Sequence, residues 1–148
     1  MSVEEEQLFT SIENKEIEAL IQKEANSKCF DCGNSPANWV CVNNGIFLCA
    51  SCAGDHRSYG PVASRIKSLI LDNFTSYQIE LLKVSGNERL KNLLNEYEIK
   101  INKNVNRLKI YTCNLVENYR ETLYCQLLGK KLPPKVEKKY ALEIMENI

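Results

Sequence analysis

Cys29-Phe30-Asp31-Cys32 and Cys49-Ala50-Ser51-Cys52, with sixteen residues between the two pairs, decide how this chain is read. Two thiols three positions apart on a tight turn can reach one ion, and a second such pair completes a tetrahedron. The sixteen-residue gap lies in the range of zinc ribbons and treble-clef-like fingers. Four buried cysteines acting as small hydrophobes would not need this paired spacing. A redox CxxC is disfavoured because two pairs so close together compete for metal. The expectation is one zinc ion held by Cys29, Cys32, Cys49 and Cys52. Four thiolates close the coordination shell, so the ion is expected to be structural and not to activate water. His56, four residues after Cys52, reads as a hydrogen-bonded or exposed histidine and not as a ligand, with no acid partner evident in the sequence.

The rest of the composition agrees with a reducing compartment. The cysteine count of seven is odd, and the acidic start Met1-Ser-Val-Glu-Glu-Glu lacks the basic-then-apolar pattern of a secretory signal. No run of the sequence approaches the roughly 18 apolar residues of a membrane span. With 19 Lys+Arg against 19 Asp+Glu, the chain carries no formal net charge. That argues against a nucleic-acid protein working through phosphate neutralisation. At 148 residues, 44% hydrophobic and 26% charged, it has the size and composition of one globular domain with its own core.

Local patterning places the cysteine pairs in an α+β frame. Residues 4–25 read as a helix carrying Leu8, Phe9, Ile12, Ile17, Ala19, Leu20 and Ile21. Asn38–Val42 and Ile46–Leu48 read as short strands joined through Asn44-Gly45, a hairpin signal. A short helix follows Cys49 to about Ser58, and Arg65–Leu71 reads as a further strand. Thr75-Ser-Tyr-Gln78 is a capping box that opens a helix with Ile79 and Leu82. Another helix carries Leu90, Leu93, Leu94 and Tyr97, and the Asn-rich stretch 98–106 reads as a loop. A single stripe of Leu108, Tyr111, Leu115, Tyr119, Leu123 and Leu127 predicts one helix over 107–128, stopped by Pro133-Pro134. Val136, Tyr140, Ile144 and Ile148 fall four apart and suggest a last amphipathic helix. The predicted fold is therefore a four-cysteine zinc finger with a small antiparallel sheet flanked by several helices. Its expected division is a domain over residues 1–128 and a tail over 129–148.

Around the finger the residues resemble the Arf GTPase-activating domain family. Cys29-x2-Cys32-x16-Cys49-x2-Cys52-x4-Arg57 is similar to that family's pattern. So are Trp39, the approach Asn43-Asn44-Gly45-Ile46-Phe47-Leu48-Cys49, the pair His56-Arg57, Ser64-Arg65-Ile66-Lys67-Ser68-Leu69-Ile70-Leu71-Asp72, Gly86-Asn87, and Tyr111 with Tyr119-Arg120. The resemblance covers roughly residues 8–125. It implies stimulation of GTP hydrolysis on an Arf-family small GTPase in its GTP form. The chain would then be an activator without turnover of its own, supplying Arg57 in trans as an arginine finger. Read alone, Arg57 is a solvated arginine at a helix C-terminus, favoured there by the macrodipole. Trp39 alone is a half-buried anchor. The resemblance implies instead that Trp39 packs beside the arginine, and that Ala50, Arg65, Leu71 and Asp72 lie at the GTPase contact. It further implies a role in vesicle trafficking and a cytoplasmic location, peripheral at Golgi or vesicle membranes. Membrane contact is expected only indirectly or through regions outside this chain.

Two departures from the family pattern lie beside the chemistry. Ala50 stands where a bulky apolar residue is usual, and Ser58-Tyr59-Gly60-Pro61-Val62-Ala63 replaces a segment similar to N-L-G-V-H-I. They bear on affinity and on which Arf-like protein is recognised. The competing reading is a non-catalytic, zinc-dependent interaction module of the same fold. A DNA-binding finger of similar cysteine spacing is a third reading, disfavoured by the neutral, mixed-charge sequence after Cys52.

Overall fold

The computed structural model describes residues 14–101 and 106–140. The hairpin signal at Asn44-Gly45 is realised: β1 (Trp39–Cys41) pairs antiparallel with β2 (Ile46–Leu48), Val40 standing opposite Phe47. β3 (Ile66–Ser68) adds antiparallel to the other edge of β1, giving the order β2-β1-β3. Alternation along these short strands sorts side chains to two faces. Val40 and Phe47 join Ile17, Leu20, Phe74, Ile79 and Leu82 in one apolar cluster. Cys41, Ile46 and Leu48 join the second, which reaches the finger and the C-terminal helices. Each large side chain buried this way contributes about 1.5–3 kcal/mol relative to exposure.

Helices cover both faces. Ile17 and Leu20 are the buried positions of α1 (Asn14–Ile21), which packs on α3 (Ser76–Val84). The Thr75 hydroxyl accepts from the Gln78 amide while the Gln78 side chain accepts from the Thr75 amide, so the capping box starts α3. α2 (Ala50–Arg57) leaves the sheet directly after β2. α4 (Asn87–Glu96), α5 (Arg107–Tyr111) and α6 (Asn114–Leu128) follow in chain order. Among the described residues no helix is long and apolar enough to cross a membrane.

One polar knot ties these layers together. The Asn87 side chain accepts from the Phe47 amide at 2.7 Å and donates to the carbonyls of Ala25 and Lys28, while its own amide donates to Asn26. Every hydrogen-bonding group of that buried amide is used, and leaving its partners unsatisfied costs about 1–3 kcal/mol each. Gly45 is required at the same junction. Its φ is +63°, and a Cβ there would lie 1.9 Å from Ser85 Oγ.

Four expectations need correction, the first being that the helix read over 4–25 ends at Ile21 among the described residues, with a 3-10 turn over Glu24–Asn26 after it. The strand expected over 65–71 ends at Ser68, where the Ser68 hydroxyl accepts from the amides of Ile70 and Leu71 and Asp72 accepts from the Ser68 amide. This local capture turns the chain, leaving Ile70 and Leu71 exposed despite their apolar character. The expected single helix over 107–128 is broken at Thr112-Cys113, and Leu108, placed on its apolar stripe, is exposed. α6 stops at Gly129, which is left-handed, and not at Pro133-Pro134. In the tail, Val136 packs on the core and Tyr140 is exposed, with helical turns over 138–140. Ile144 and Ile148, like Leu8, Phe9 and Ile12 of the N-terminal stripe, lie outside the described residues.

Candidate functional site

The two cysteine pairs converge. The Sγ atoms of Cys29, Cys32, Cys49 and Cys52 all lie within 4.8 Å of one another, and Cys32 Sγ sits 3.7 Å from Cys49 Sγ. A tetrahedral ion about 2.3 Å from each sulfur sets the sulfurs about 3.8 Å apart, so the donor set fits a metal after a contraction of about 1 Å or less. The first pair sits on a knuckle in which the Cys29 carbonyl accepts from Gly33 and the Cys29 amide donates to Asn34. The second pair opens α2. Cys49 is its N-cap, and its Sγ accepts from the Cys52 amide at 3.5 Å. Burial pushes the Cys29 thiol up to about 11 and raises Cys52 as well, so a cation is needed to hold these two as thiolates. Cys41, Cys113 and Cys125 lie outside the cluster as free thiols.

Arg57 ends α2 two turns after the N-cap. It is exposed, and its guanidinium carbon lies 4.7 Å from the centre of the Trp39 ring. Trp39 is half-buried on β1, between Leu48 and Ser68. Such stacking fixes the direction of a long side chain while leaving its five donors facing outwards.

The residue before it meets an entirely different environment. His56 is fully buried, with Nε2 2.7 Å from Asp31 Oδ2 and Nδ1 2.7 Å from Ser64 Oγ. The acid partner missing from the sequence reading is therefore Asp31, inside the first cysteine knuckle. Asp31 also accepts from Tyr111 OH and from Arg107 Nη1, and Arg107 reaches Cys52 Sγ at 3.2 Å and Asp55 at 3.0 Å. Ser64 donates its proton to Cys41 Sγ and Cys41 donates to Asn43 Oδ1. The Ser64 oxygen is thus left to accept from Nδ1–H, so both ring nitrogens donate and His56 is an imidazolium. Burial alone would lower its pKa. The hydrogen bond to Asp31 and the nearby Cys41 sulfur outweigh it and push the pKa up to about 9.

These contacts pin α2 at three places: Cys49 and Cys52 on the cluster, Asp55 on Arg107, and His56 on Asp31. The loop after Arg57 is fixed as well. Asn43 Nδ2 donates to the carbonyls of Pro61 and Val62, Asn44 Nδ2 to Ala63, and Arg120 to Asn44 and Ala63.

A family profile described as "Putative GTPase activating protein for Arf" matches residues 14–127. The chain belongs to the ArfGap family. Human stromal membrane-associated protein 1 is 33% identical over 120 residues, covering 81% of this chain and 22% of that protein. Mouse ADP-ribosylation factor GTPase-activating protein 3 is 37% identical over 73 residues, covering 49% of this chain and 14% of that protein. The chain therefore spans about a fifth or less of the length of these two curated relatives. Among solved structures, a Cryptosporidium parvum protein described as a "putative GTPase activating protein for ADP ribosylation factor" superposes with a TM-score of 0.73 at 24% identity, covering 82% of this chain and 98% of that one. The ArfGap domain of human RIP matches at 26% identity with a TM-score of 0.55, covering 84% and 90%.

The other residues singled out in the ArfGap pattern are dispersed around this centre. Ala50 is exposed at the first position of α2. Leu71 is 81% exposed on the turn after β3, beside Asp72, whose carboxylate holds that turn shut through the Ser68 amide. Arg65 precedes β3, its amide donating to Asn43. Sequence reasoning missed Asp31 and Arg107 entirely. A carboxylate placed between two metal-binding thiols was the available signal for Asp31. Arg107 carried none.

Proposed function

We propose that this chain stimulates GTP hydrolysis by an Arf-family small GTPase in its GTP form, with Arg57 as an arginine finger acting in trans. The observation that carries the reading is Arg57 itself: exposed, stacked on Trp39, and mounted on a helix fixed at both ends. As the bond to the leaving phosphate breaks, charge builds on the phosphoryl oxygens of the partner's nucleotide. A guanidinium donates to two of those oxygens at once, an effect of about 10³–10⁵ in rate. The activator undergoes no turnover of its own in this scheme. His56, the single histidine of the chain, is sealed against Asp31 and Ser64 and so is not offered as a general base, and in this scheme the attacking water belongs to the partner.

The metal is proposed to be one zinc ion, since an all-sulfur tetrahedral donor set suits zinc. Cys29, Cys32, Cys49 and Cys52 would hold it, and it would supply rigidity, with no open position for substrate. Trp39, Ala50, Arg65, Leu71 and Asp72 are proposed to meet the GTPase, the exposed Leu71 offering apolar area and Arg65 charge. Action in vesicle trafficking, from the cytoplasmic side of Golgi or vesicle membranes, follows from such a partner.

Ala50 and the replaced loop favour a second reading, a non-catalytic interaction module, because Ala50 offers little contact area on the exposed start of α2. The test loads Arf-family GTPases with GTP and follows phosphate release with and without the chain. Acceleration for at least one GTPase supports the activator. Binding to the GTP form with an unchanged rate supports the module instead.

A further inference from the structure

Beyond the span matched by the ArfGap profile, the chain carries a strip of unlike character. Between Lys130 and Lys139 lie five lysines, namely Lys130, Lys131, Lys135, Lys138 and Lys139, against one acid, Glu137. Because the whole chain is neutral, this strip makes the molecule electrically lopsided. All five lysines are exposed. The acidic contact of the strip among the described residues is Lys139 to Glu137 at 3.4 Å, a solvated surface pair worth little. Glu143 and Glu146 follow in the sequence, outside the described residues.

The strip is held in place. After Gly129 the Lys130 amide donates back to Cys125, and the chain then runs alongside α6. Asn118 Nδ2 donates to the Pro134 carbonyl at 2.9 Å. Tyr97 OH donates to the Val136 carbonyl at 2.5 Å, and the Val136 side chain packs on the core. Pro133-Pro134 keeps residues 130–137 out of a helix, so the ten residues spread over about 30 Å at most. Apolar groups alternate with the charges. Leu128 and Leu132 are about half exposed, and Tyr124 and Tyr140 stand beside Lys130 and Lys139, whose ammonium groups lie 5.1 and 5.0 Å from the ring centres.

We infer that residues 124–140 form a docking surface for an anionic lipid bilayer. A flat sheet of negative headgroups can meet many separated ammonium groups at once, and leucine and tyrosine side chains suit the interfacial layer beneath. The strip contains lysine and no arginine, so it lacks the planar fork that reads carboxylates or phosphates bidentately. That favours a diffuse charged surface over a shaped acidic protein face or a nucleic acid. The inference places within this chain a membrane contact that the sequence reading assigned to regions outside it, and it does not depend on the GTPase reading.

The test uses the full chain with its metal and no GTPase. Vesicles of phosphatidylcholine alone are compared with vesicles holding about 30 mol% phosphatidylserine by co-sedimentation, at low and high salt. Binding is expected only to the anionic vesicles and is expected to disappear in high salt. Lys131→Ala, Lys135→Ala and Lys138→Ala together should weaken it about 100-fold, at about fivefold per lysine, with metal content and melting temperature unchanged. Leu132→Ala should weaken it less and independently of salt. Equal sedimentation with neutral vesicles, or a triple variant that binds as wild type does, would overturn the inference. So would lysine-dependent binding to duplex RNA or to an acidic peptide when anionic vesicles are ignored.

Discussion

His56 and Arg57 are consecutive on α2, yet His56 is sealed between Asp31, Ser64 and the rings of Tyr59 and Tyr111, while Arg57 stands in solvent over Trp39. One side chain uses its charge inside the molecule, where the Asp31 carboxylate answers it. The other spends almost nothing on folding and keeps its donors available. The difference teaches how a rigid mount for an exposed cation is made: the stiffness lies on the inner side of the helix, and the chemistry on the outer side. Mutations on the two sides should therefore separate cleanly, stability from activity.

Removing the metal should have the largest effect, because cluster binding energy is folding energy, of order 10 kcal/mol for structural zinc. Incubation with a strong chelator, followed by circular dichroism and near-ultraviolet spectra, should show loss of the packed finger. Intact tertiary signals in metal-free protein would separate the cluster from the mount of Arg57.

Next in size is Asp31→Ala. It strands a buried imidazolium, unpairs Tyr111 OH and removes one anchor of Arg107, at a cost of about 3–5 kcal/mol. Urea denaturation of the metal-loaded protein measures it. A change below about 1 kcal/mol would mean that the inner network does not hold α2.

The pH dependence follows from His56 with its sign. Its folded pKa is raised to about 9 from an ordinary 6.5, so its contribution is fully present below pH 6.5 and is lost as pH rises through about 9. The groups facing it are Asp31 from the first knuckle, Tyr111 from α5, Tyr59 and Ser64 from the following loop, and Cys41 from β1. The whole contribution is about 3 kcal/mol. Melting temperature should fall between pH 7 and 9.5, and His56→Gln should flatten that fall. A wild-type profile that is level over this range would remove the imidazolium from the account.

The smallest stability effect belongs to Arg57→Ala, within about 0.5 kcal/mol by thermal unfolding. A loss of several kcal/mol would show Arg57 to be a structural residue and erase the contrast with His56.

Much of this architecture was legible in the chain. The two CxxC pairs specify the cluster because short-range spacing alone fixes which thiols can share an ion. The Asn44-Gly45 hairpin and the Thr75–Gln78 box are equally local and stand as read. What stayed hidden is long-range or competitive. Asp31 and His56 are 25 residues apart and meet only once the sheet and α2 are folded. Strand patterning continued through Leu69, Ile70 and Leu71, but the Ser68 hydroxyl captured the amides of Ile70 and Leu71 while the Asp72 carboxylate took that of Ser68. The stripe from Leu108 to Leu127 fitted one helix, and periodicity gave no sign of the break at Thr112-Cys113. Arg57 and Trp39 are eighteen positions apart, and their contact was implied only by the resemblance.

The most direct measurement of the arginine-finger claim is single-turnover GTP hydrolysis by an Arf-family GTPase with saturating wild-type chain or Arg57→Lys. The variant keeps the charge and the inner network but loses the planar fork. The account predicts that stimulation falls by a factor of about 10³ or more, while affinity for the GTP form and melting temperature stay close to wild type. Stimulation by Arg57→Lys equal to that of wild type would contradict it.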